Sequence, residues 1–62
     1  MKPSWDDAPE WAKYLAMSKD GDWRWHQMPP EIAGDEWVSG GREMHARYQE
    51  IMDWKTTSEE RT

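Results

Sequence analysis

Between Tyr14 and His26, bulky apolar and polar positions alternate on either side of Lys19-Asp20-Gly21. A period of two is the strand period, and the turn residues between the two runs predict a β-hairpin. Ser18 to Asp22 fits a three-residue loop in which Gly21 takes the left-handed position and forms a bulge. That register sets Met17 against Trp23 and Leu15 against Trp25. Four large apolar side chains then share one face, while Tyr14, Ala16, Arg24 and His26 take the other. A two-residue Asp20-Gly21 loop would set Met17 against Arg24 and Leu15 against His26. A slip of one residue turns every side chain over, so the apolar match selects the bulged loop.

The flanking pattern predicts further elements. Asp7-Ala8-Pro9-Glu10 reads as a helix start, with an acidic cap, proline in the first turn and Glu three residues after the cap. A helical turn over Ala8 to Lys13 follows. A helix continuing to Met17, with Trp11 and Leu15 on one face, competes with a switch to strand near Tyr14, and the turn at Gly21 favours the switch. Pro29-Pro30 and Gly34 interrupt regular structure between Gln27 and Asp35. Glu36 to Ser39 is β-prone and is expected as a third, edge strand beside the second, with Trp37 or Val38 on the apolar face. After Gly40-Gly41, Met44, Tyr48, Ile51 and Met52 fall at i, i+4, i+7 and i+8, which predicts a helix over Arg42 to Trp54 lying on the tryptophan face of the sheet. Residues 56–62 contain no apolar side chain and are expected as a disordered tail. The predicted fold is α+β: a short N-terminal helical turn, a three-stranded antiparallel meander and one C-terminal helix packed on it, in a single domain over residues 1–55.

Composition changes this picture in two ways. A chain of 62 residues buries only about 60% of the surface its unfolded form exposes. Cysteine is absent, so disulfides and thiolate metal sites are excluded. Six tryptophans and two tyrosines take over, since each aromatic side chain buries roughly 150–250 Å². The net charge of -5, from thirteen acidic and eight basic side chains, opposes nucleic-acid binding through phosphates. The first residues have no apolar leader-like region, and no run approaches the roughly 20 apolar residues of a membrane span. A soluble intracellular protein is expected.

Candidate chemistry is sparse. His26 and His45 have no local spacing that would gather metal ligands, so neither a metal nor a cofactor is expected. Ser4, Ser18, Ser39 and Ser58 have no neighbouring base in the sequence. The carboxylate pairs Asp6/Asp7 and Asp20/Asp22 read as cap and turn formers, because acid catalysis requires a pocket that lifts a pKa. The chain is therefore read as a non-enzyme. Trp23-Arg24-Trp25 resembles a base-stacking platform, but its tryptophans share a face with Leu15 and Met17 and are read as core. Six tryptophans exceed what one thin core hides, and exposed tryptophan is a frequent hot spot at protein interfaces. The expected partner-binding surface is Trp5, Trp11, Tyr14, Arg24, His26 and Trp37. Asp6, Asp7, Glu10, Glu31, Asp35 and Glu36 are either a charge cluster imitating nucleic-acid phosphates or ordinary solvation of an aromatic-rich domain.

Trp5-Asp6-Asp7-Ala8-Pro9-Glu10-Trp11-Ala12, then Asp20-Gly21-Asp22-Trp23-Arg24-Trp25 and the proline pair, resemble a tryptophan-rich segment of small tailed-bacteriophage proteins of unassigned function. The resemblance spans about residues 5 to 30. It implies a phage product in the cytoplasm of a bacterial host and supplies no catalytic residues. The function expected is a non-catalytic protein-interaction module that binds, and inhibits or modulates, a host protein. The rival readings are a single-stranded nucleic-acid binder using exposed tryptophans and a self-associating accessory domain, a homo-oligomer that buries its surplus indoles between copies.

Overall fold

The computed structural model describes residues 2–49 and 53–61. At its centre β1 (Tyr14–Met17) and β2 (Asp22–His26) form the hairpin that the alternation predicts. Leu15 stands opposite Trp25 and Met17 opposite Trp23. The turn closes through Gly21 N donating to Ser18 O at 2.9 Å and Ser18 N donating to Asp22 O at 3.1 Å. Gly21 has φ +88°, a backbone region that side chains disfavour.

The rest of the fold is not α+β. The described residues contain no α-helix, only two 3-10 turns, Trp5–Asp7 and Trp54–Thr56. Among the described residues six strands form two antiparallel sheets, one of four strands in the order β5-β2-β1-β6 and one of two, β3-β4. The predicted helix over Arg42 to Trp54 is replaced by β5 (Glu43–Tyr48), paired antiparallel with β2. The reason lies in the sequence itself. Met44, Ala46 and Tyr48 alternate with Glu43, His45 and Arg47, so the segment carries a strand period beside the helical one. Pairing satisfies the backbone of β2 along its whole second edge, which no packed helix can do. Of the predicted stripe, Ile51 and Met52 lie outside the described residues.

Three other expectations change. Glu36–Val38 is a strand, β4, but it pairs with β3 (Glu31–Ala33) in a separate hairpin and not with β2. The place expected for it belongs to β5. The N-terminal helical turn begins earlier, at Trp5, with Ser4 as its cap and Asp7 inside it. Ala8 to Lys13 forms a turn closed by Ala12 N donating to Pro9 O at 3.0 Å, and the strand begins at Tyr14. Within the segment expected as a disordered tail, β6 (Glu59–Glu60) pairs with Tyr14 and Leu15 of β1.

That C-terminal segment is held by polar contacts, which is why its composition concealed it. Thr57 Oγ1 accepts from Met17 N at 2.9 Å. Arg61 N donates to Lys13 O at 2.7 Å, and Arg61 Nη1 to Ala12 O at 2.9 Å. Glu59 accepts from Trp5 Nε1 at 2.6 Å and from Lys2 Nζ at 2.5 Å.

The core lies on one face of the main sheet: Ala12, Leu15, Met17, Trp23, Trp25 and Trp54. Each buried aliphatic side chain there contributes about 1.5–3 kcal/mol of transfer free energy. The cover expected of a helix comes instead from two irregular segments. Trp5 packs on Trp25 with ring centroids 5.0 Å apart, Trp11 adds a half-buried indole, and Trp54 enters from the C-terminal side.

Candidate functional site

The opposite, outer face of the sheet is divided in two. Over β1 lies the β3-β4 hairpin, attached by Lys19 N donating to Asp35 O at 3.2 Å, Trp37 N to Ser18 Oγ at 3.3 Å and Trp37 Nε1 to Trp54 O at 3.2 Å. Ala16 and His26 are buried, at 1% and 0% exposure. Around Arg24 of β2 and over β5 the face is open and charged.

The charged half is a linked set. Arg24 Nε donates to Asp22 Oδ2 and Arg24 Nη1 to Glu43 Oε1, both at 2.6 Å. Asp22 Oδ1 lies 2.5 Å from His45 Nδ1. Ala46 is an extra residue in β5 between the pairs Trp23/Arg47 and Arg24/His45. This bulge brings Tyr48 onto the same side as His45, with ring centroids 4.6 Å apart. The two hydrogen bonds to carboxylates raise the Arg24 pKa above its already high ordinary value, so the guanidinium is permanently charged. Asp22 is buried and meets both Arg24 and His45, which the spacing of the sequence does not foretell; the strand alternation of Glu43, His45 and Arg47 is the signal that could have found it.

Asp22 holds the His45 ring by Nδ1, as an orienting carboxylate holds a general base. Among the described residues no hydroxyl is hydrogen-bonded to the other ring nitrogen. The same carboxylate is shared with Arg24, so the arrangement reads as a surface ion-pair network.

Where the two halves meet there is an open cleft of about 480 Å³, lined by Ser18, Lys19, Asp20, Asp22, Arg24, Asp35, Glu36 and Trp37. The turn supplies one wall and the β3-β4 hairpin the other. Four carboxylates against two cations leave it negative. Arg24 already occupies two carboxylates, whereas among the described residues Asp35 meets only Lys19, at 3.7 Å, with both side chains well exposed.

Of the six residues expected to bind a partner, Arg24 and Trp37 meet in this cleft. Tyr14 is half-buried on the outer face of β1, and Trp5 and Trp11 are half-buried on the core face, apart from it. Trp5 is committed to Glu59 and lies under the Arg61 guanidinium at 5.5 Å, and Trp11 lies under Arg42 at 5.9 Å. His26 is enclosed and presents no surface to a partner. Its Nδ1 lies 3.0 Å from Ser39 Oγ, and burial pushes its pKa below the ordinary imidazole value. Trp23 and Trp25 are buried, so the stacking platform they would form is not on the surface. The six acidic residues of the suspected cluster are carried on two segments, three before β1 and three on the β3-β4 hairpin.

Among the described residues, no helix is long and apolar enough to cross a membrane, and no group of histidine, aspartate and glutamate side chains is arranged to hold a metal ion. No protein-family model, curated protein or solved structure matches the chain.

Proposed function

We propose that the chain is a non-catalytic protein-interaction module that receives a basic segment of a partner in the cleft between the Gly21 turn and the β3-β4 hairpin. The observation that carries this reading is the composition of that cleft: an indole wall from Trp37 beside Asp20, Asp35 and Glu36, with Lys19 meeting Asp35 only at 3.7 Å and both side chains exposed. A lysine or arginine side chain gains there both carboxylate pairing and contact with an aromatic face. The overall negative charge speeds the encounter with a basic partner. The resemblance of residues 5–30 to phage segments supports a bacterial host protein as that partner and inhibition or modulation as the outcome.

Affinity capture from bacterial lysate with the intact chain and with an Asp35→Lys/Glu36→Lys variant tests this. A host protein retained by the intact chain and lost, or held about tenfold more weakly, with the variant is the expected result. Equal retention by both, or no retained protein, rejects the proposal.

A further inference from the structure

His26 is fully enclosed, yet among the described residues its Nε2 has no hydrogen-bond partner. A neutral ring fits this place: with Nδ1-H donated to Ser39 Oγ, Nε2 carries only a lone pair, the less costly group to leave unpaired. A protonated ring adds a donor and a charge, and among the described residues the enclosure offers that donor no acceptor.

The groups around the ring do not supply the missing acceptor. Tyr14 of β1 and Glu43 of β5 stand opposite His26 across the two ladders. Asp22 and Arg24 lie along β2, and both carboxylates, Asp22 and Glu43, are bound to Arg24. Glu31 and Glu36 on the covering hairpin are exposed to solvent. Burial accordingly holds the ring below its ordinary titration range.

One side of the enclosure is weakly attached. Main-chain ladders join the strands around β2, whereas the β3-β4 hairpin, with no ladder to the sheet among the described residues, meets it through hydrogen bonds at Lys19, Trp37 and Ser39 and through the packing of Trp37. Its Ile32 and Val38 are substantially exposed, and Trp37 is the side chain by which it packs against the core. The smallest movement that hydrates Nε2 is therefore the lifting of this hairpin.

We infer that the β3-β4 hairpin is a proton-gated flap, latched by neutral His26 through Ser39, which leaves the outer face under mildly acidic conditions while the four-stranded sheet stays formed. Opening binds a proton. It is thus favoured as pH falls through about 6.5, the value of a freely hydrated imidazole, and the open fraction grows by up to about tenfold per pH unit until the enclosed ring itself titrates. The flap uncovers Tyr14 and Ala16 and takes the Trp37 wall away from the cleft.

Amide hydrogen exchange by NMR, corrected for intrinsic rates and compared at about pH 7.5 and about pH 5.5, tests the flap. The expected result is an increase of roughly tenfold or more in opening at the Lys19 and Trp37 amides, with the β1-β2 ladder unchanged, retained in His45→Gln and abolished in His26→Gln. Equal protection at both pH values, a parallel loss across the ladder, or a response that survives in His26→Gln overturns the inference. Should His26→Gln not fold, the imidazole nitrogens of the unaltered chain are titrated alongside the Trp37 indole N–H. A shared transition below pH 6.5 supports the flap, and a His26 transition that leaves the Trp37 resonance unmoved refutes it.

Discussion

Thr57 Oγ1 accepts the amide proton of Met17 at 2.9 Å across 40 positions of sequence. It stands where a further β6 residue would otherwise continue the ladder, and its own proton is offered to Trp54 O at 2.8 Å or Met17 O at 3.1 Å. One hydroxyl thus joins the edge of β1 to the turn that inserts Trp54 into the core. Thr57→Val keeps the shape and removes these bonds, leaving a donor of a buried strand residue unpaired. A loss of about 1–3 kcal/mol is expected in urea unfolding, while Thr57→Ser retains most of the stability.

Shortening the chain after Thr56 distinguishes a structural segment from a dispensable one. It removes the partners of Met17, Lys13, Ala12 and Trp5 together and uncovers the edge of β1. A chain this small has only a few kcal/mol to lose. The shortened chain is expected to lose its cooperative thermal transition in tryptophan fluorescence. An unchanged transition would mean that β6 contributes nothing.

Glu59 couples folding to acid. Partial burial opposes its ionisation most, but the hydrogen bonds from Lys2 and Trp5, with the Lys2 charge, outweigh it and hold its pKa below the usual 4.5. A depressed carboxylate pKa contributes stability that is complete above about 4.5 and is lost as pH falls through the folded value. Glu59→Gln is therefore expected to be less stable than the parent at neutral pH and to show a shallower fall between about pH 5 and pH 3 in denaturation midpoints. His26 adds an acid-labile contribution of the same sign at higher pH: its folded pKa is lowered, so stability falls once the unfolded ring begins to protonate near 6.5.

Gly21 is constrained twice. Its φ of +88° disfavours any side chain, and a Cβ built there would overlap the carbonyl of Gln49, which lies close because Gln49 N donates to Gly21 O at 2.8 Å. Gly21→Ala is expected to cost about 1–3 kcal/mol and to disturb the β5 end of the sheet as well as the turn. Chemical shifts of Tyr48 and Gln49 amides would report the second effect.

What the sequence determined is local. Ser18 to Asp22 can close in few ways, and the alternating Leu15, Met17, Trp23 and Trp25 leave one register that gathers them, so the central hairpin was legible down to its residue pairs. The same holds for Gly21 and for the core role of Trp23 and Trp25. What only the tertiary structure decided is how the two edges of that hairpin are completed. Met44, Ala46 and Tyr48 fit a strand and Met44 and Tyr48 fit a helix, and the open edge of β2 chose between them. Residues 57–61 have no apolar pattern to read, because they are held by hydrogen bonds to Met17, Lys13, Ala12 and Trp5. The Asp22, Arg24, Glu43 and His45 network and the Trp37 cleft depend on those same pairings between distant segments. Backbone groups at an unpaired edge are satisfied by whichever chain reaches them, and that choice is made by the assembled sheet and not by the residues of any one segment.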